Sequence, residues 1–431
     1  MRTLVYSLIA LLAISQVEAK AFSVDKTAIV ELKAAADALV QIDAKNTETQ
    51  IEMWDQNKVY VEAQFSYRGE DQNEKIDEFL KEFEKNVKNG IKGTGREFRI
   101  STYHSMPSKV KVGWQEFAFF NWTFSADEVQ IKYIIKLPKG ATMDVKHSYH
   151  PLKIVGSVKS LRLEQYSGRL DVDDIEEARF MIKYGKANTG TINRGKIELY
   201  EADLQSESYD ELKLNARYSN FRAKNIGAFK ALAYESEFYL QKVGKLSGEF
   251  KYSRLESKEI GSGDLMSYES KLYSNKVEKL NLSNSKYSRY EIADVKDMSI
   301  GESYEDKILV DRAHRFKAGE SKYQECLIRE LVESYSLMGY ECKLEIAALG
   351  GESGQIKVDG KYLKMSINLD DKVYTINAAL KYGKLAYPQS KVKAQLMEEG
   401  SNFLGNIESK KKGNQKYVVM LNGYEVKAEI L

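Results

Sequence analysis

The sequence predicts an all-β protein, a β-solenoid of the parallel β-helix type with about seventeen residues per coil and a β-rich cap at each end. Three observations carry that prediction. Apolar residues recur at a fixed interval: Val158, Ile175, Ile192, Tyr209, Ile226, Val243, Ile260 and Val277 stand seventeen apart, and Val295, Ala313, Leu331 and Leu349 follow at eighteen. Between these anchors apolar and polar residues alternate, as in Lys279-Leu280-Asn281-Leu282, which is the period of a strand. A repeat this short has no room for a helix pair, which needs about thirty residues. Finally, no proline occurs between Pro151 and Pro388. In a stacked rod every strand has neighbours on both sides, and a missing N–H breaks the ladder.

The elements follow in chain order. Arg2, the apolar run Leu8–Ile14 and the small-x-small pattern at Val17-Glu18-Ala19 read as a cleaved signal peptide over residues 1–19. The chain is therefore expected to be exported, to the periplasm, the outer membrane or the medium. Residues 20–148 hold all three tryptophans and no seventeen-residue period, so they form an N-terminal β-rich cap domain. Strands are expected near Val59–Ala63 and Val129–Ile134. One amphipathic helix carries Ile76, Phe79, Leu80, Phe83 and Val87 on a stripe, with Asp71 or Asn73 as its cap. Residues 149–349 are the solenoid repeats. Residues 350–431, where the pattern loosens, form a C-terminal β-strand cap, since open solenoid ends must be covered.

Two further columns run along the repeat. Seven residues before the anchors stand small side chains: Gly168, Gly185, Ala202, Ser219, Ser236, Ser253, Ser270 and Ser288. Their parity points them inward, toward a thin part of the core. Eight before the anchors, Tyr184, Tyr218, Tyr252 and Tyr287 alternate with Glu201, Glu235 and Glu269. Nine before, Tyr166, Tyr200, Tyr234 and Tyr268 alternate with Lys183, Arg217, Lys251 and Lys286. Stacking such coils is expected to set rings against cations, with successive outward rings of the first column about 9.6 Å apart. These ladders are expected either to hold the rod together or, through Tyr184, Tyr218, Tyr252 and Tyr287 with Glu201, Glu235 and Glu269 between them, to form a binding surface for a glycan or protein.

Trp54 through Ala63, Tyr133 through Leu137-Pro138-Lys139-Gly140, and the Tyr-Ser or Tyr-Gly coils resemble a family of bacterial adhesin-like β-solenoid proteins with a domain like the head of autotransporter adhesins. The sequence departs from the Ser-Gly-Asp coil turns commoner there, keeping one at Gly261-Ser262-Gly263-Asp264. The resemblance implies an exported envelope protein and brings no catalytic residues.

The chemistry of the chain points the same way. Lys and Arg number 65 against 63 Asp and Glu, a net +2, so no basic field draws nucleic acid. No stretch is long and apolar enough for a transmembrane helix. His147-x-x-His150 lacks further ligands at metal spacing, and no cofactor motif occurs. Asp171, Asp173 and Asp174 are the one dense acidic group, the place where a carbohydrate-active β-helix enzyme would keep its catalytic carboxylates. The expected function is a non-enzymatic interaction module whose partner is an unidentified protein or glycan at the cell envelope. An envelope structural or sensing component without external ligand is the alternative. Cys326 and Cys342 point inward on neighbouring coils, offset by two residues, which favours free thiols.

Overall fold

A computed structural model describes residues 22–69, 74–102, 110–112, 115–117, 128–370, 372–414 and 416–431. The expected signal peptide at 1–19, Asp71 and Asn73, of which one or the other is expected to cap the helix, and Trp114 and Trp122 lie outside the described residues, as do the side chains of Ile76 and Phe79. The chain is a β-solenoid of about 13 turns.

Its cause is visible in the register. Val158 pairs with Ile175, and Ile226 with Val243, in parallel and in phase. Each residue therefore stacks on its equivalent one coil away, and every apolar column becomes a continuous buried seam. The seventeen-residue spacing persists to Leu265↔Leu282; the next pair is Met266↔Asn284. The residue skipped is Ser283, and from there the coils run at eighteen as far as Ala313↔Leu331. Apolar side chains fill the bore, among them Phe221, Phe229, Phe238 and Phe250, whose rings sit 5.5–6.2 Å apart. A large anchor is matched by a small neighbour: a Cβ at Gly195 would crowd Leu212 at 3.1 Å and the Tyr209 ring at 3.2 Å. Its hydroxyl is satisfied by Ser206 Oγ at 2.5 Å, itself bonded to Thr189 at 2.7 Å.

Strands from both terminal regions are threaded into the stack out of chain order. Strand Glu48–Trp54 sits between Glu128–Pro138 and Leu152–Val155, with Ile51 paired to Ile135 on one side and Ile154 on the other. Strand Tyr417–Tyr424 sits between Gly354–Lys361 and Tyr374–Lys381, with Val419 paired to Ile356 and to Ile376. A strand hydrogen-bonded on both edges does not fray. Lys58–Gly69 runs antiparallel to both Phe22–Lys45 and Glu128–Pro138. The expected helix spans Glu74–Gly90, and Phe83 and Val87 are buried, Phe83 5.9 Å from Phe65.

The small column faces inward, for a reason beyond thickness. Ser253 Oγ donates to the Lys251 carbonyl at 2.7 Å and accepts the Ser236 N–H at 3.2 Å. Ser219, Ser236, Ser270 and Ser288 repeat the pattern, so the column is a buried hydroxyl ladder that serves the backbone of the bend beside it. Removing one hydroxyl leaves a buried N–H without a partner. Ser253→Ala is expected to cost about 1–3 kcal/mol, and Ser253→Leu more because the side chain overfills the site, while Lys245→Leu on the exposed surface stays near neutral by thermal or chemical melting.

Asp306 takes the next place in that column, accepting Ser288 N–H at 2.8 Å and Ser303 Oγ–H at 2.7 Å. Burial pushes its carboxyl above the ordinary aspartate range. The folded state thus holds the proton more tightly than the unfolded chain. That stabilisation is complete at pH below the unfolded value and is lost as pH rises through the raised folded one. Asp306→Asn keeps an acceptor for Ser288 and is expected to raise the neutral-pH melting temperature and flatten its decline above about pH 4. A variant less stable than the parent at neutral pH, with the same pH profile, would refute this.

Candidate functional site

The site begins with a backbone conformation. Among the described residues sixteen non-glycine residues have positive φ, and they form one corner column from Asn46 and Tyr149 to Tyr382 and Glu425. In the repeats they include Tyr184, Tyr218, Tyr252 and Tyr287, alternating with Glu201, Glu235 and Glu269, at φ between 45° and 57°. Glycine or asparagine would turn this corner at less cost, and a bulky residue in the left-handed region is rare. The bend has a geometric effect that strand parity does not anticipate. Residues on either side of it, such as Ala233 and Ser236, are buried, while Tyr234 and Glu235 between them both project outward.

Because both corner positions point out, a tyrosine from either one reaches the same ridge. Fifteen rings form a single row: Tyr149, Tyr166 and Tyr184 begin it, and Tyr362, Tyr424 and Tyr382 end it. Neighbouring centroids are 5.2–6.0 Å apart and the planes meet at 67–88°, edge to face throughout. This corrects two expectations. Tyr218 and Tyr252 are not an open pair across a 9.6 Å gap, since Tyr234 stands between them at 5.6 Å from each. Nor do rings stack on cations; within the row, among the described residues, the one such contact is Lys381 over Tyr382 at 5.8 Å. Edge-to-face pairing of phenols wins because alternate corner positions bring rings from successive coils into contact, and the cations swing outward into solvent.

The ridge is flanked by charge of opposite sign. Where the ring comes from the left-handed position, the residue before it is Lys183, Arg217, Lys251 or Lys286; where it comes from the other position, the residue after it is Glu201, Glu235 or Glu269. All seven of these charged residues are exposed. Hydrogen bonding to Glu269 pushes the Tyr268 phenol up to about 12, and Glu201 and Glu235 raise Tyr200 and Tyr234 in the same way. These phenols stay protonated as donors at any physiological pH. The predicted tyrosines Tyr184, Tyr218, Tyr252 and Tyr287 are 43–45% exposed. A groove of about 590 Å³ opens beside the ridge, lined by Tyr200, Arg217, Tyr218, Leu232, Tyr234 and Glu249.

The sequence missed that Tyr166, Tyr200, Tyr234 and Tyr268 join the same row. The signal was present in the strict alternation of the two columns, but reading it requires knowing that a left-handed corner lies between them. A second aromatic patch was also missed: Arg222 stacks over Tyr239 at 4.8 Å and Arg254 over Tyr273 at 4.7 Å, and Arg222, Tyr239 and Tyr273 line a groove of about 450 Å³.

The other candidates are absorbed by structure. Asp173 accepts Gly156 N–H at 2.8 Å, Asp174 accepts Thr191 N–H at 2.7 Å, and Asp171 takes Arg169 and Asn188. The three carboxylates thus tie coil to coil. His147 is buried and desolvated to a value of about 4, and among the described residues no group of His, Cys, Asp and Glu is placed to hold a metal ion. Cys326 and Cys342 are free and buried, and burial pushes the Cys326 thiol up to about 12.

Left-handed strain and stacking are of similar size: about 1–2 kcal/mol for each non-glycine corner residue, against about 0.5–1.5 kcal/mol per aromatic pair. Removing one ring is therefore expected to depend on what replaces it. Tyr252→Ala loses two stacking contacts and keeps the strain, while Tyr252→Gly loses the contacts and relieves it. The glycine variant should be more stable than the alanine variant by about 1 kcal/mol in denaturant melts. The reverse order would show that the corner residue is not strained.

No family model and no curated protein matches the chain. One solved structure does, a "putative cell adhesion protein" from Clostridium sporogenes, at 10% identity and a TM-score of 0.15, covering 95% of this chain and 99% of that one.

Proposed function

We propose that the protein is an exported, non-enzymatic interaction module of the cell envelope or surface, and that the tyrosine corner is its contact surface for a glycan or protein. The observation that carries this reading is the unbroken surface row of fifteen tyrosines, eight of them in a left-handed conformation that glycine would adopt more cheaply. Strain at recurrent positions points to use, and here stacking roughly offsets the strain without a clear surplus. Tyrosine presents large area at little entropic cost, with a donor at its tip. The half-exposed Leu232 in the groove beside the ridge adds an apolar anchor, and the flanking acids and bases supply acceptors and donors.

The test replaces two central rings by glycine, Tyr218→Gly with Tyr252→Gly, which removes the surface while sparing stability. Binding of the mature protein to whole cells or a glycan array is expected to be lost, with melting changed by no more than a few degrees. A folded double variant that binds like the parent would overturn the contact-surface role and leave the ridge a support of the rod. Export is checked separately. Fractionation of cells expressing the full chain should place a product beginning near Lys20 outside the cytoplasm, and an uncleaved cytoplasmic product would contradict it.

A further inference from the structure

The two ends of the rod are finished differently. At the N-terminal end a helix lies against the strands, with Phe83 and Val87 buried. At the other end strands Val392–Glu399 and Asn402–Ser409 form a hairpin around Gly400-Ser401. Its inner strand pairs antiparallel with Tyr374–Lys381, while its outer strand has one neighbour among the described residues, its own hairpin partner. Seven of the eight outer-strand residues are exposed. Apolar side chains stand bare on both faces, Leu396 at 45% on one, Met397 at 61% and Leu404 at 48% on the other. A free edge of this kind is a template for another strand.

We infer that this edge is covered by a second copy of the same chain, outer strand against outer strand, antiparallel about a two-fold axis. The charges on the strand, Lys393, Glu398 and Glu399, select this occupant. With Leu396 opposite its counterpart, Lys393 faces Glu399 of the second copy, and the two-fold axis makes that pair twice. Lys393 then lies between its own cross-strand neighbour Glu408 and that Glu399. Sliding the pair by two residues breaks both matches: one way Glu399 meets Gln395, the other way it meets Lys391, already held by Asp370. A parallel in-register pairing sets Lys393 on Lys393 and both glutamates on their counterparts, which is destabilising. The strand is complementary to itself in one arrangement and repels itself in the one that would grow a fibre. Pairing also covers Leu396 and Met397 of both copies and joins two rods end to end through one four-stranded antiparallel sheet.

The experiment is sedimentation of the mature protein over a range of concentrations. The parent is expected to dimerise. Lys393→Glu and Glu399→Lys are each expected to be monomeric, with melting of the monomer unchanged because both residues are exposed. Mixed together, the two variants should form a heterodimer, since each copy then offers the charge that the other lacks. A parent that stays monomeric throughout would overturn the inference. So would a dimer indifferent to both substitutions, or two monomeric variants that fail to associate when mixed.

Discussion

The structure depends on the left-handed bend between the two tyrosine-bearing positions of each coil. A strand that kept its two-residue alternation would run straight, and one added residue without a change of hand would turn the apolar side outward. A single residue in the left-handed region does both jobs: it closes the coil and restores the inward phase on the far side. The carbonyl of the residue before the bend and the N–H of the residue after it lie toward the interior, and the buried serine column bonds to both. Ser219, Ser236, Ser253, Ser270 and Ser288 each donate two residues back and accept from the adjoining coil. The bend, the hydroxyl ladder and the ridge of rings are therefore one device repeated along the rod.

In-register stacking makes that device additive. Once Val158 sits on Ile175, every other column follows, and a local feature of one coil becomes a line on the surface. Rows of like charge would be costly at strand spacing, and the two-coil alternation of tyrosine with charge removes that cost. It also separates the signs, with bases on one flank of the ridge and acids on the other. Such a surface is rigid, because each ring is held by two others and each corner by its neighbours. Little side-chain freedom would remain to be lost if the ridge serves the contact role proposed for it.

The ends show how a repeat that cannot close on itself is stopped. Threading Glu48–Trp54 and Tyr417–Tyr424 between other strands holds both segments inside the hydrogen-bonded stack. The outermost places go to a helix at one end and an antiparallel hairpin at the other. Reversal of strand direction is itself a stop, since a parallel coil cannot continue on the hairpin's register.

The sequence by itself determined the periodic part of this protein. Spacing, alternation and the lack of proline specify a solenoid, its coil length, the inward columns and the exposure of Tyr184, Tyr218, Tyr252 and Tyr287. All of these are properties of residues one coil apart, and phase alone relates them. Three things were decided by tertiary structure. That Tyr200 and Tyr218 touch depends on the left-handed turn, which Tyr and Glu, being poor formers of it, do not announce. That Asp171, Asp173 and Asp174 tie coils together depends on which backbone amides the neighbouring coil presents. The order of strands at the ends departs from chain order, and no period records it. Local pattern fixes what repeats; where the repeat ends, the hydrogen bonds left open by the whole stack choose the partner.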